Sequence, residues 1–235
     1  MNQFCHEVII QKLMSLSDVL NDDVIMYILE YLNDIDKIRF LSVNLRLRSF
    51  INHIWFTEIY DYKLVRKLSY LNRFKYIKYK TNSTNIPKYI THLTFKDNFN
   101  KDIKNCIPNS VTYLTFGRNF DQNIKDCIPN SVTHLIFGDN FNQDIKDCIR
   151  VRIHAERIAL RCIPNSITHL TLGYHFNQKI RNRIPNSVTH LTLGKKFNQH
   201  IRGCIPDSVT HLILDRQFYE RNKKYINKNI QINLI

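Results

Sequence analysis

Two hydrophobic periods divide the chain. From Asn21 to Trp55 apolar residues recur at helical spacing: Val24, Ile25, Ile28, Leu29 and Leu32 fall on one side of a helix, and Ile35, Ile38, Leu41 and Val43 begin a second series. Asn21 is suited to cap the first helix, with Asp22 and Asp23 at the positive end of its dipole. Asn33-Asp34 breaks that helix, and Asn44 offers a cap for a third that ends near Trp55. Beyond residue 86 the apolar residues instead fall as V-x-x-L-x-F, as in Val132, Leu135 and Phe137, and the last two alternate as one face of a strand must.

This second pattern repeats. IPNSVTYLTFGRNFDQNIKDC from Ile107, IPNSVTHLIFGDNFNQDIKDC from Ile128 and IPNSVTHLTLGKKFNQHIRGC from Ile184 are variants of one 21-residue unit. Ile-Pro pairs begin at Ile86, Ile107, Ile128, Ile163, Ile184 and Ile205, spaced by 21, 21, 35, 21 and 21 residues. The long interval implies a 14-residue insertion, 149–162, expected as a loop or short helix. A period near 21 is that of a leucine-rich-repeat solenoid, whose units bury their apolar faces only by stacking. Proline in each unit predicts an extended return segment in place of a helix. Phe99, Phe120, Phe141, Phe176, Phe197 and Phe218 predict an aromatic column, and Gly117, Gly138, Gly173 and Gly194 a turn after the strand. Leu71, Phe74 and Tyr76 upstream, and Ile230, Ile232 and Leu234 downstream, are expected to form degenerate capping units.

The recurring Phe-Asn and Ile-Pro pairs make this region resemble an FNIP array, a relative of leucine-rich repeats found in social amoebae and giant DNA viruses. Its departures are the insertion, Asp121 and Tyr219 where Asn is usual, and loss of the pattern after Gln217. The front, LNDDVIMYILEYLNDIDKIRFLSVNLRLRSFINHIW, resembles an F-box, although Asn21 stands where that family usually has Pro. The resemblance implies contact with the Skp adaptor of a cullin-RING ubiquitin ligase through Leu20, Asp23, Ile28, Leu29, Leu32 and Ile38, with Val43 and Trp55 in the core. The fold expected is α+β. It comprises an N-terminal extension (1–19), a three-helix F-box (20–65), a linker and cap (66–85), a parallel β solenoid (86–225) and a C-terminal cap strand (226–235).

Charge sharpens the division. Residues 1–65 carry six basic and nine acidic residues, which leaves 28 basic and 11 acidic beyond them, a balance of +17. No apolar run approaches the ~18–20 residues of a membrane-spanning helix. The first residues lack the features of a secretory signal, so a cytoplasmic location is expected (the host's, for a viral protein), with the nucleus as a further compartment. The six cysteines are then expected as reduced thiols.

Three columns invite chemistry. His92, His134, His169, His190 and His211, joined by Tyr113, invite metal binding but favour surface contact. Cys106, Cys127, Cys148, Cys162 and Cys204 read as a buried ladder, since no CxxC or accompanying His/Asp pair marks a nucleophile or zinc site. Lys104, Lys125, Lys146, Arg181, Arg202 and Lys223 form a basic stripe without interleaved aromatics, a solvated face before a nucleic-acid site. Client contacts are expected on the strand face, at His134, Asp139, His169, Tyr174, His190, Lys195, His211 and Arg216, with the insertion overhanging. No cofactor, metal, membrane or catalytic role is expected. The function implied is substrate recognition for an SCF-type ligase, with an adaptor decoy and a basic nucleic-acid binder as the other readings.

Overall fold

The computed structural model describes residues 19–146, 148–153, 156–160 and 162–235; for 148–153 and 156–160 it describes the backbone alone. The extension expected at 1–19 lies, as far as residue 18, outside these. The chain divides between Ile77 and Lys78 into two compact units.

The first unit carries helices α1 (Asp22–Tyr31), α2 (Asp34–Leu41) and α3 (Leu45–Ser49), strand β1 (Phe56–Asp61), a short helix α4 (Tyr62–Val65) and the start of strand β2 (Phe74–Thr81). An asparagine starts each of the first three helices. Asn21, Asn33 and Asn44 accept the backbone N–H of Val24, Asp36 and Leu47 at 2.9, 2.9 and 2.8 Å. Ile25, Leu29, Leu41, Leu47 and Phe56 are buried, and Phe56 stacks on Phe74 at 4.7 Å. Buried Asp34 pairs with Lys37 at 3.5 Å and accepts the Glu58 N–H at 2.7 Å, while Lys37 Nζ donates to the Trp55 carbonyl at 3.3 Å. This network joins α2 to β1. Burial, then the Asp34 charge, pushes the nearby Tyr60 hydroxyl up to about 12. Trp55 is not a core residue as expected: it is 51% exposed, with the Arg73 guanidinium 5.5 Å from its ring, and Phe56 takes the core position.

The second unit is the solenoid. Seven parallel pairings join β2 to β3 (His92–Phe95), β4 (Tyr113–Thr115), β5 (His134–Ile136), β8 (His169–Thr171), β9 (His190–Thr192), β10 (His211–Leu214) and β11 (Gln231–Leu234). The intervening β6 (Cys148–Ile153) and β7 (Glu156–Leu160) pair only with each other, antiparallel. The insertion is therefore a β-hairpin, not a loop or short helix. Cys162 Sγ donates to the Lys146 carbonyl at 3.0 Å, as Cys127 Sγ does to that of Lys125 at 3.1 Å. Cys162 thus fills the slot before Ile-Pro, and the extra residues are displaced to 148–161. The upstream cap also shifts register. Tyr79 and Thr81 align with Leu93 and Phe95, where Phe74 and Tyr76 were expected, because β2 extends to Thr81.

Two recurring polar positions of the unit make hydrogen-bonded ladders. Ser110, Ser131, Ser166, Ser187 and Ser208 donate to the carbonyls of Ile90, Val111, Val132, Ile167 and Val188 in the preceding coil, at 2.7–2.8 Å. The Oδ1 atoms of Asn100, Asp121, Asn142 and Asn177 accept the N–H of Asp121, Asn142, Asn177 and Asn198 at 2.8–3.0 Å. A carboxylate accepts as well as an amide does, which is why Asp121 fits. Inside, Phe99, Phe120, Phe141, Phe176 and Phe197 stack at 6.1–6.4 Å, and Phe95, Phe116 and Phe137 at 5.4–5.5 Å.

The glycine column opens the expected turn: the carbonyls of Gly117, Gly138, Gly173 and Gly194 accept the N–H of Phe120, Phe141, Phe176 and Phe197, three residues on, at 2.9–3.3 Å. Its members lack positive φ, whereas a Cβ on Gly138, Gly173 or Gly194 would lie 1.8–2.0 Å from the preceding glycine's carbonyl oxygen. Close approach of coil backbones excludes side chains there. Left-handed backbone occurs on the return side, at Asn105, Asp126, Asn182 and Gly203, residue types that adopt it at least cost, and also at Tyr89, which is outside that series.

Candidate functional site

On the strand face the stacked side chains run His92, Tyr113, His134, His169, His190, His211, with ring centroids 4.0–4.3 Å apart. The preceding threonines orient them. Thr133, Thr168, Thr189 and Thr210 each hold their hydroxyl oxygen 3.2–3.3 Å from the carbonyl of the preceding coil's threonine. The same oxygen lies 2.9 Å from Nδ1 of the following histidine, a hydrogen bond whose direction follows the ring's tautomer and which fixes the ring's orientation. Burial, then the charges of His169, His92 and His190, lowers His134 to about 4. His92 and His190 are also lowered, chiefly by burial.

Parallel rings aim their Nε2 atoms in parallel, whereas a tetrahedral ion needs donors converging at ~2.0–2.1 Å. The column is a poor chelator. Among the described residues no three His, Cys, Asp or Glu side chains form a metal-holding group. It is better suited to offer its ring nitrogens singly to hydrogen bonds.

The other strand-face candidates surround this column. Asp139, Tyr174 and Lys195 are exposed just beyond β5, β8 and β9. Arg216, also exposed, opens a helix, α5 (Arg216–Asn222), where the repeat pattern ends. Asp139 pairs with Arg118 at 3.3 Å, and Lys196 Nζ lies 5.9 Å from the Tyr174 ring centroid. Lys80, Thr94, Asp97, Thr115, Arg118 and Ile136 help line an open groove of about 300 Å³ on this face. The insertion's side chains lie outside those described.

The return side carries the cysteines and the basic stripe. Burial, then neighbouring Cys127, pushes the Cys106 thiol up to about 11, and burial raises Cys127 and Cys204 too. Thiols so raised stay protonated near neutral pH, the opposite of an activated nucleophile. Arg183, in the same slot, pairs with Asp144. In the stripe, Lys104, Arg181 and Arg202 are exposed, and Lys223 pairs with Glu220 at 2.9 Å.

In the first unit the expected adaptor residues separate. Asp23 is exposed, Ile38 is 38% exposed, and Leu20, Ile28 and Leu32 are half-buried. Leu29 is a correction: at 1% exposure it belongs to the unit's own core and has no surface to offer. The apolar surface lies instead at Val24, Tyr27, Tyr31, Ile35, Ile38 and Leu45. Tyr27 and Tyr31, four residues apart, meet at 4.9 Å on the exposed face of α1; that spacing was the available signal. Ile38, Leu45, Ile51 and Tyr70 help line a groove of about 360 Å³. No described helix is long and apolar enough to cross a membrane.

Known proteins carry the same features. The FNIP Repeat family model matches residues 80–119, 103–129, 120–149 and 157–196. A protein of Acanthamoeba polyphaga mimivirus provisionally named an F-box protein is 39% identical over 87 residues, 37% of this chain and 32% of that one. Another from the same virus, provisionally named an F-box and FNIP repeat-containing protein, is 34% identical over 107 residues, 38% of this chain and 36% of its own. This chain thus spans about a third of the length of these relatives. The crystal structure of CroV588, described as a novel circular LRR protein, aligns with a TM-score of 0.53 at 36% identity, over 69% of this chain and 24% of that chain. The matched segments lie within the solenoid, and FNIP repeats are thus detected in this chain.

Proposed function

We propose that this chain is a substrate-recognition adaptor of an SCF-type ubiquitin ligase: the F-box-like front docks on a Skp adaptor and the solenoid holds a client protein. The observation that carries the reading is the pairing, in one chain, of exposed Ile35, Ile38 and Leu45 on a three-helix unit with an FNIP solenoid. The names of the viral relatives support it. The chain acts by proximity and orientation and performs no bond chemistry. It works in the cytoplasm, the host's for a viral protein.

The test is capture of a purified Skp adaptor by the whole chain and by the Ile35→Asp/Ile38→Asp variant. Both positions are exposed, so the variant folds, and the charges entering an apolar interface abolish capture. Undiminished capture by the folded variant refutes the docking surface. Reconstituted ubiquitination of a captured client separates an adaptor from a decoy, which binds Skp and delivers nothing.

A further inference from the structure

The strand face of the solenoid is cationic at both ends and uncharged along much of its middle. Lys78, Lys80 and Lys96 are exposed at one end, Lys195 and Arg216 at the other. None of the five forms an ion pair among the described residues. The carboxylates in the same region are already engaged. Asp97 accepts the Arg118 N–H at 3.2 Å, Asp139 pairs with Arg118, and Asp215 caps α5 by accepting the Phe218 N–H at 2.9 Å. Between the ends stand Tyr113, His134, Ile136, His169, Thr171 and Tyr174. His134, held well below its ordinary range, is neutral at physiological pH.

We infer that this face takes an extended acidic segment of a client polypeptide, lying along the solenoid axis with an acidic cluster at each end and an uncharged stretch between. The inference rests on the client-binding reading above and gives the client its chemistry. The two cationic ends are five strand spacings apart, roughly 24 Å at ~4.8 Å each, the reach of about seven extended residues. The middle offers aromatic rings, threonine hydroxyls and imidazole Nε2 atoms to uncharged polar side chains. A continuous acidic run would set charge against Asp139, whose only ion-pair partner among the described residues is Arg118. A nucleic-acid backbone does the same, because its phosphates are evenly spaced.

The experiment measures fluorescence anisotropy of two labelled peptides of one composition on the whole chain. One has two Asp triplets whose centres are seven residues apart; the other has all six Asp contiguous at its centre. The separated peptide is expected to bind about tenfold more tightly, and Lys195→Glu/Arg216→Glu to remove that advantage without changing the melting temperature. Equal binding of the two peptides, an unaffected double variant, or equally tight binding of an oligothymidylate of equal charge overturns the inference. Skp capture and client ubiquitination, run on the same proteins, report separately on the underlying reading. If a client is still captured and modified while the peptides bind alike, only the acidic chemistry fails.

Discussion

Asn142 Oδ1 accepts the backbone N–H of Asn177 at 2.8 Å, the bond made elsewhere by residues 21 apart, although these two are 35 apart. The coils on either side of the hairpin are joined as if it were absent. His134 and His169 stack at 4.1 Å, and Ser166 reaches the Val132 carbonyl at 2.7 Å.

Removing the hairpin therefore restores the ordinary period at no cost to the ladders. Deletion of 148–161 and deletion of 149–162 yield the same sequence, with one Cys before Ile163-Pro164. The shortened chain is expected to melt no lower than the parent, as read by circular dichroism. A collapse of the transition would mean that the segment supports the stack.

Gly173 has no room for a methyl group. Its Cβ would lie 1.8 Å from the Gly138 carbonyl oxygen, so Gly173→Ala should cost about 1–3 kcal/mol or more, through displaced backbone. Gly203 has φ +63° but open space around it, so Gly203→Ala pays only the strain of left-handed backbone and should be the milder change. Chemical denaturation of the two variants decides the order.

Phe141 is fully buried between Phe120 and Phe176, each 6.1 Å away. Phe141→Ala is expected to cost about 3–5 kcal/mol, because stacked coils have few ways to close the cavity. Asp139→Ala, beside it in sequence but exposed, should stay within about 0.5 kcal/mol.

The histidine column makes stability depend on pH. His134 is lowered to about 4 in the folded chain, against ~6.5 when unfolded, so the unfolded chain takes up the proton first. Its contribution is complete above about 6.5 and is lost as pH falls toward about 4. His92 and His190 act in the same direction. His134→Tyr keeps a stacked ring, as Tyr113 does, and removes the titration. Its melting temperature should fall less between about pH 7 and about pH 5 than the parent's; an equal fall would clear this residue.

The repeat was legible because stacking imposes one environment on every equivalent position. Ile-Pro spacing marked the coils, and the V-x-x-L-x-F pattern marked their buried side. What the spacing left open depended on relations between coils. The glycines read as turn residues, but that their turns must also pass against the preceding backbone does not show in the spacing, and the Asn and Ser ladders require knowing which carbonyl or N–H lies one coil away. Leu29 and Ile38 differ for a related reason. Both belong to apolar helical series, but the direction from which neighbouring helices pack decides that one is core and the other surface. In the hairpin, Cys148 and Cys162 are the same residue type in equivalent contexts, and only the bond to Lys146 selects between them.

The spacing of the rings changes across each coil. It is 4.0–4.3 Å for the outward His/Tyr column, 5.4–5.5 Å for Phe95, Phe116 and Phe137, and 6.1–6.4 Å for the deeper Phe99 column. Each coil is thus a small wedge with its thin edge on the strand side. Adding wedges bends the stack toward that edge, so the arc belongs to the unit and its sweep to the number of units.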